Sequence, residues 1–139
     1  MNRRTARKHA FNLVFQFPFH DNYDADAMSG FYFDDLKSAT EQDKEDIARV
    51  AKGVCSGLTR IDALISGNLS GWEIDRINKA DLAVLRLAIY EMIHEDDIPS
   101  RVSINEAVEL AKTYGADDSF QFVNGILGKV FKILENENG

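Results

Sequence analysis

SINEAVELAKTYGADDSFQFVNGIL, residues 103–127, carries apolar side chains at three-and-four spacing on both sides of a Gly-Ala-Asp-Asp turn. Ser103 and Glu106 stand at the spacing of a capping box, with Val102 and Ala107 placed to form the hydrophobic staple around it. A helix is therefore expected from Ile104 to Tyr114, stopped by Gly115. Asp118 and Gln121 repeat the cap signal ahead of Phe122, Val123, Ile126, Leu127, Val130, Phe131 and Leu134, the apolar stripe of a last helix. Two helices joined by a tight turn predict a helical hairpin.

The same spacing extends outward. Only Pro18 and Pro99 interrupt the chain, and strand alternation nowhere persists beyond a few residues. A first helix is expected to turn Ala6, Ala10, Leu13, Val14 and Phe17 inward and to stop or bend at Pro18. Its other face runs Arg4, Lys8, Phe11, Phe15. Residues 21–46 are acidic and aromatic, with Phe31, Tyr32, Phe33 and Leu36 suggesting a short amphipathic helix. Thr40 and Asp43 then cap one long helix that buries Ile47, Val50, Ala51, Val54, Leu58, Ile61 and Ile65. Gly53 and Gly57, four apart within it, would let a neighbouring helix approach closely. A further helix starts near Asn78 and Asp81 and buries Leu82, Leu85, Ile89, Met92 and Ile93. The prediction is an all-α, antiparallel helical bundle forming one domain over residues 1–139.

Composition narrows the function. At 139 residues, 45% hydrophobic and 28% charged, the chain can build an ordinary core, which sets disorder aside. No apolar run approaches the ~20 residues of a membrane span, and the N-terminus lacks the apolar stretch of a secretory signal, so a cytoplasmic protein is expected. The single cysteine, Cys55, excludes an intrachain disulfide and reads as a reduced core thiol. His9, His20 and His94 show no metal-ligand spacing, and neither a metal nor another cofactor is expected. Carboxylates are plentiful but have structural readings: Glu106 in the capping box beside Glu109, and Asp117 with Asp118 at a helix start, where the macrodipole favours them. Gly125 and Gly128 fall inside a helical pattern and read as small packing residues. No Ser, His or Cys arrangement marks a nucleophile, so no enzyme is indicated.

Charge is the residue-level pointer to function. Arg3, Arg4, Arg7 and Lys8 are four cations without one acid among residues 1–20 of a chain whose net charge is −7. A polyanion responds to the potential within a Debye length of ~8–10 Å, so such an arm can bind nucleic acid on an acidic protein. Arginines at a helix start oppose the macrodipole and give up some tenths of a kcal/mol. Arg4 and Lys8 leading into Phe11 and Phe15 would set phosphate donors beside rings on which bases stack. A plain solvated terminus explains the same four charges.

Residues 103–127, together with RRTAR (3–7), the lone Trp72 and Arg76 in GWEIDRINKADLAVLRLAIYEM (71–92) and the proline-led VSINEA (102–107), resemble the NusB family of transcription antitermination factors over nearly the whole chain. The resemblance implies about seven helices in two three-helix subdomains and no chemical reaction. It implies binding of the boxA RNA of ribosomal RNA leader transcripts together with NusE, a small-subunit ribosomal protein, in the RNA polymerase antitermination complex. By the same likeness Arg3, Arg4 and Arg7 match an arginine-rich RNA-binding motif that Lys8 extends. Phe122 and Asn124 match an RNA surface flanked by Tyr114 and Asp118, and Phe15 and Asp81 fall where the family meets its protein partner. Gln121 stands where lysine is often found, and Phe15 where a tyrosine would offer a hydroxyl; residues 18–40 are the least family-like.

On physical grounds Phe122 fits either an exposed ring that stacks on a base or the apolar stripe of its helix. Asn124 fits either a base-edge reader or a helix-packing amide. A homodimer that hides the same surface is compatible with the sequence. Two other readings stand beside the first: a NusB-like RNA-docking domain of the kind found on RNA cytosine methyltransferases, and a purely protein-binding scaffold. The first lacks a GxG-type cofactor loop, and the second would make the basic arm incidental.

Overall fold

The computed structural model describes residues 1–16, 30, 32–34 and 36–138. Expectations placed on Phe17, Pro18, His20 and Phe31 lie outside them. Six α-helices lie wholly within the described residues: α1 (Arg3–Phe15), α2 (Glu41–Ser56), α3 (Leu58–Ser66), α4 (Lys79–His94), α5 (Ser100–Tyr114) and α6 (Ser119–Asn138); residues 30 and 32–34, in the stretch expected to hold a short helix, are helical too. A 3₁₀ turn at Ile74–Arg76 lies between α3 and α4. No strand occurs among the described residues.

The bundle is organised around α4. Asn78 caps it by accepting from the backbone N–H groups of Ala80 and Asp81, and every residue from Ala80 to Glu91 is buried. All five other helices pack on it. It therefore belongs to two three-helix groups, α1 with α2 and α4, and α4 with α5 and α6, and one apolar cluster runs through both. A helix buried on all sides has no polar face to spare, so its charges need partners. Asp81 accepts from Ser119 on α6, Arg86 donates twice to Asp62 on α3 (3.0 and 2.9 Å), and Glu91 accepts from Arg7 on α1 and Ser103 on α5. Each buried charge of α4 thus fixes the rotation of a different neighbour.

Several local expectations are corrected. The long helix after Thr40 has the predicted capping box but ends at Ser56; Gly57 caps it and α3 starts afresh. Gly53 does permit a close approach, because a Cβ there would collide with the Tyr90 ring of α4. Gly57 instead marks the break. Helix α5 starts at Ser100 behind Pro99, so Ser103 and Glu106 are not its cap: Ser103 is a buried helical residue. Proline's fixed φ suits a helix entry, and its carbonyl accepts from the N–H groups of Val102 and Ser103. Phe11, assigned to the outer face of α1, is buried. Gly125 and Gly128 face open space, with nothing within 4 Å of a Cβ at either, so they are not close-packing residues.

Candidate nucleic-acid interface

The arm is built on the first turns of α1, which Asn2 caps by accepting from the N–H of Thr5. Its four cations are not equivalent. Arg3 and Arg4 are exposed yet paired across the fold, Arg3 donating to Asp97 (2.8 Å) and Arg4 to both oxygens of Glu106 (3.1 and 2.9 Å). Lys8 is exposed and has no carboxylate partner among the described residues. Arg7 is 8% exposed, which corrects the expectation of a phosphate donor in solvent; its guanidinium donates to both oxygens of Glu91 (2.7 and 2.9 Å). Burial works against the Arg7 charge, but the hydrogen bonds and charge of Glu91, reinforced by Glu106, outweigh it and hold the guanidinium above its ordinary pKa. The Arg4 hydrogen bond is the main cause holding the Glu106 carboxyl below its usual range.

The arm's helix reaches the α5–α6 turn through aromatic contact. Phe11 stacks on Tyr114 with centroids 4.9 Å apart, and Phe15 lies tilted against Phe11 at 6.0 Å. Tyr114 remains 37% exposed and closes α5 at Gly115. That glycine is required by space: a Cβ would lie 2.6 Å from Ser119 Oγ and 2.7 Å from Asp81 Oδ1. Ser119 opens α6, accepting from the N–H of Ala116 and donating to Asp81 Oδ2, which locks the turn. Asp81 is therefore buried inside the turn, correcting its expected place at a protein-partner surface. Its Oδ1 has no hydrogen-bond partner among the described residues, and burial raises its pKa, with the Ser119 bond opposing and the charge of Asp118 adding.

Asp118, just ahead of α6, and Gln121 and Asn124 on its first turns are exposed. Phe122 is half-buried, combining both expectations: it packs on the core and meets the exposed Trp72 ring at 5.4 Å, tilted by 43°. The structure thus brings Phe11, Phe15 and Tyr114 together and, separately, Phe122 and Trp72, on the two sides of one turn. Phe15, half-buried against the core, keeps part of its ring at the surface beside Phe11. Among the described residues no cluster of three potential metal ligands occurs, and no helix is long and apolar enough to cross a membrane.

Sequence reasoning missed the counter-ions Asp97, Glu106 and Glu91, which lie 94, 102 and 84 positions from their arginines and leave no local signal. The burial of Arg7 was signalled: Arg7, Phe11 and Val14 stand at i, i+4, i+7, one face of a helix.

Comparison with known proteins bears on this geometry. The profile of the NusB family matches residues 4–132. Transcription antitermination protein NusB of Agathobacter rectalis is 43% identical over 129 residues, covering 93% of this chain and 98% of its own length. The NusB structure of T. maritima superposes with a TM-score of 0.85 at 39% identity, covering 95% of this chain and 92% of its own. A NusB solved with NusE and double-stranded RNA, 22% identical, shares the fold at a TM-score of 0.83 over 94% of this chain and 96% of its own.

Proposed function

This chain belongs to the NusB family, and from that premise we propose that it is a transcription antitermination factor that binds single-stranded boxA RNA of ribosomal RNA leaders together with NusE. It acts by binding alone, as an adaptor in the RNA polymerase antitermination complex. The observation that carries this reading is the Phe11–Tyr114 stack, which joins the cationic first turns of α1 to the exposed Tyr114, Asp118 and Asn124 of the α5–α6 turn. Phosphate donors and base-reading groups therefore stand on one scaffold, the division of labour that RNA recognition needs.

Lys8, Arg3 and Arg4 meet phosphates; Arg7, tied to Glu91, sets the rotation of α1 instead. Asn124 offers a donor and an acceptor to a base edge, Asp118 accepts from an exocyclic amine or a 2′-hydroxyl, and Phe122 and Tyr114 offer ring faces. Phe15 contributes an apolar contact to the protein partner. Because the net charge is −7, most of the surface repels RNA, and a basic ribosomal protein that covers part of it strengthens RNA binding. Linkage then requires RNA to tighten partner binding by the same factor. Titration of boxA RNA with and without NusE tests this: tighter binding with NusE is expected, and equal affinities would remove the coupling. Failure to bind the RNA in either condition would remove the reading itself.

A further inference from the structure

Trp72 is the lone tryptophan, stands in the loop between α3 and α4, and is 38% exposed. Between it and the first turns of α6 lies an open groove of about 250 Å³. Trp72 and Phe122 form its aromatic walls, Gly125 its floor, and Gln121, Asn68 and Lys129 its polar rim. The size suits one ring system better than a drug-sized ligand.

Three features define the occupant. The Trp72 and Phe122 rings, tilted at 43°, leave an aromatic wedge, and Gly125 adds no side chain to fill it. Lys129 is the only charged residue among the described residues lining the groove, on a chain of net charge −7, so this acidic molecule presents a cation where the rings are open. Asn68 donates its Nδ2 to the Leu64 carbonyl, which leaves its own amide oxygen as an acceptor, while the Gln121 amide is exposed and makes no side-chain hydrogen bond among the described residues. A ring face, an amide edge and an ammonium match the base, base edge and phosphate of a nucleotide.

We propose that this groove is a second base-binding subsite, in which an unpaired nucleotide of single-stranded RNA stacks on Trp72, with Gln121 and Asn68 at its edge and Lys129 at its phosphate. It rests on the RNA-binding reading above and extends it: Phe122, which that reading assigns to RNA, also lines the groove, so the two surfaces meet at the start of α6. The RNA path then passes around the start of α6 instead of ending at Asn124.

A single tryptophan makes the test direct. Titration of the full chain with boxA RNA, followed by intrinsic fluorescence, is expected to quench Trp72 emission, whereas an abasic oligonucleotide of equal length leaves it unchanged. Trp72→Ala should weaken RNA binding roughly five- to a hundred-fold, and Trp72→Phe should restore most of it. Gly125→Leu, whose Cβ meets nothing within 4 Å, keeps the fold and blocks the groove, and should lose affinity to a similar degree. RNA that binds by gel shift without changing Trp72 emission, with Gly125→Leu at wild-type affinity, overturns the subsite and leaves the RNA-binding reading standing. Quenching by the abasic strand, or by the protein partner alone, overturns it too, and absence of any RNA binding removes both.

Discussion

Glu91 concentrates much of the bundle's specificity in one carboxylate. It accepts from Arg7 on α1 and from Ser103 on α5, all three being buried, so removing one partner strands a charge. Arg7→Ala should destabilise the protein by about 3–5 kcal/mol in denaturant titration, far more than a surface arginine would. The outcome separates Arg7 from Arg3 and Arg4, which share its residue type and its place in the arm. Asp81 gives the opposite case. Its raised carboxyl holds a proton more tightly folded than unfolded, so its contribution is complete below the unfolded pKa and is lost as pH climbs through the folded one. Asp81→Asn keeps an acceptor for Ser119 and carries no charge to bury. It should be about 1 kcal/mol more stable than wild type at pH 7, and melting curves of the two should converge as pH falls. The partners of Arg7 and Asp81 lie far along the chain and leave no local signal, whereas charge and family likeness pointed Arg7, and family likeness Asp81, to a binding surface.

Elements were more legible than the residues that join them. The period of α1, the Thr40 cap of α2, the Asn78 cap of α4 and the Gly115 stop of α5 are local, and each appears where the sequence put it. The false capping box at Ser103 shows the limit: the local pattern is real, but Pro99 starts the helix earlier and Glu91 claims the Ser103 hydroxyl. Sequence named only Leu82, Leu85, Ile89, Met92 and Ile93 as buried on α4, whereas every residue from Ala80 to Glu91 is buried, because its charges look like a solvent face until their partners are known. Glycines divide the same way. Gly53→Ala places a methyl against the buried Tyr90 ring and should cost about 1–3 kcal/mol. Gly128→Ala, with nothing near its Cβ, should stabilise α6 by roughly 0.5–1 kcal/mol. Thermal unfolding of the two variants should move in opposite directions.

At the scale of the molecule, the segregation of charge was legible in the sequence and its neutralisation was not. The arm places four cations at one end of a chain of net charge −7, yet Arg3, Arg4 and Arg7 each hold a carboxylate, and only Lys8 stands without one among the described residues. RNA that approaches Arg4 must share its guanidinium with Glu106 and tolerate that carboxylate close by, whereas Lys8 meets a phosphate at no such cost. An exposed pair such as Arg4–Glu106 is screened by solvent and contributes little, so Glu106→Gln should strengthen RNA binding by no more than roughly fivefold. Lys8→Ala should weaken it and lower the slope of log K against log salt by about 0.7, the share of one phosphate on a single strand. Filter binding across a salt series reads both effects on one RNA. The opposite signs are the critical result: if Glu106→Gln weakened binding as Lys8→Ala does, Glu106 would be holding Arg4 in its binding pose, and the carboxylates around the arm would be part of the interface instead of competitors for it.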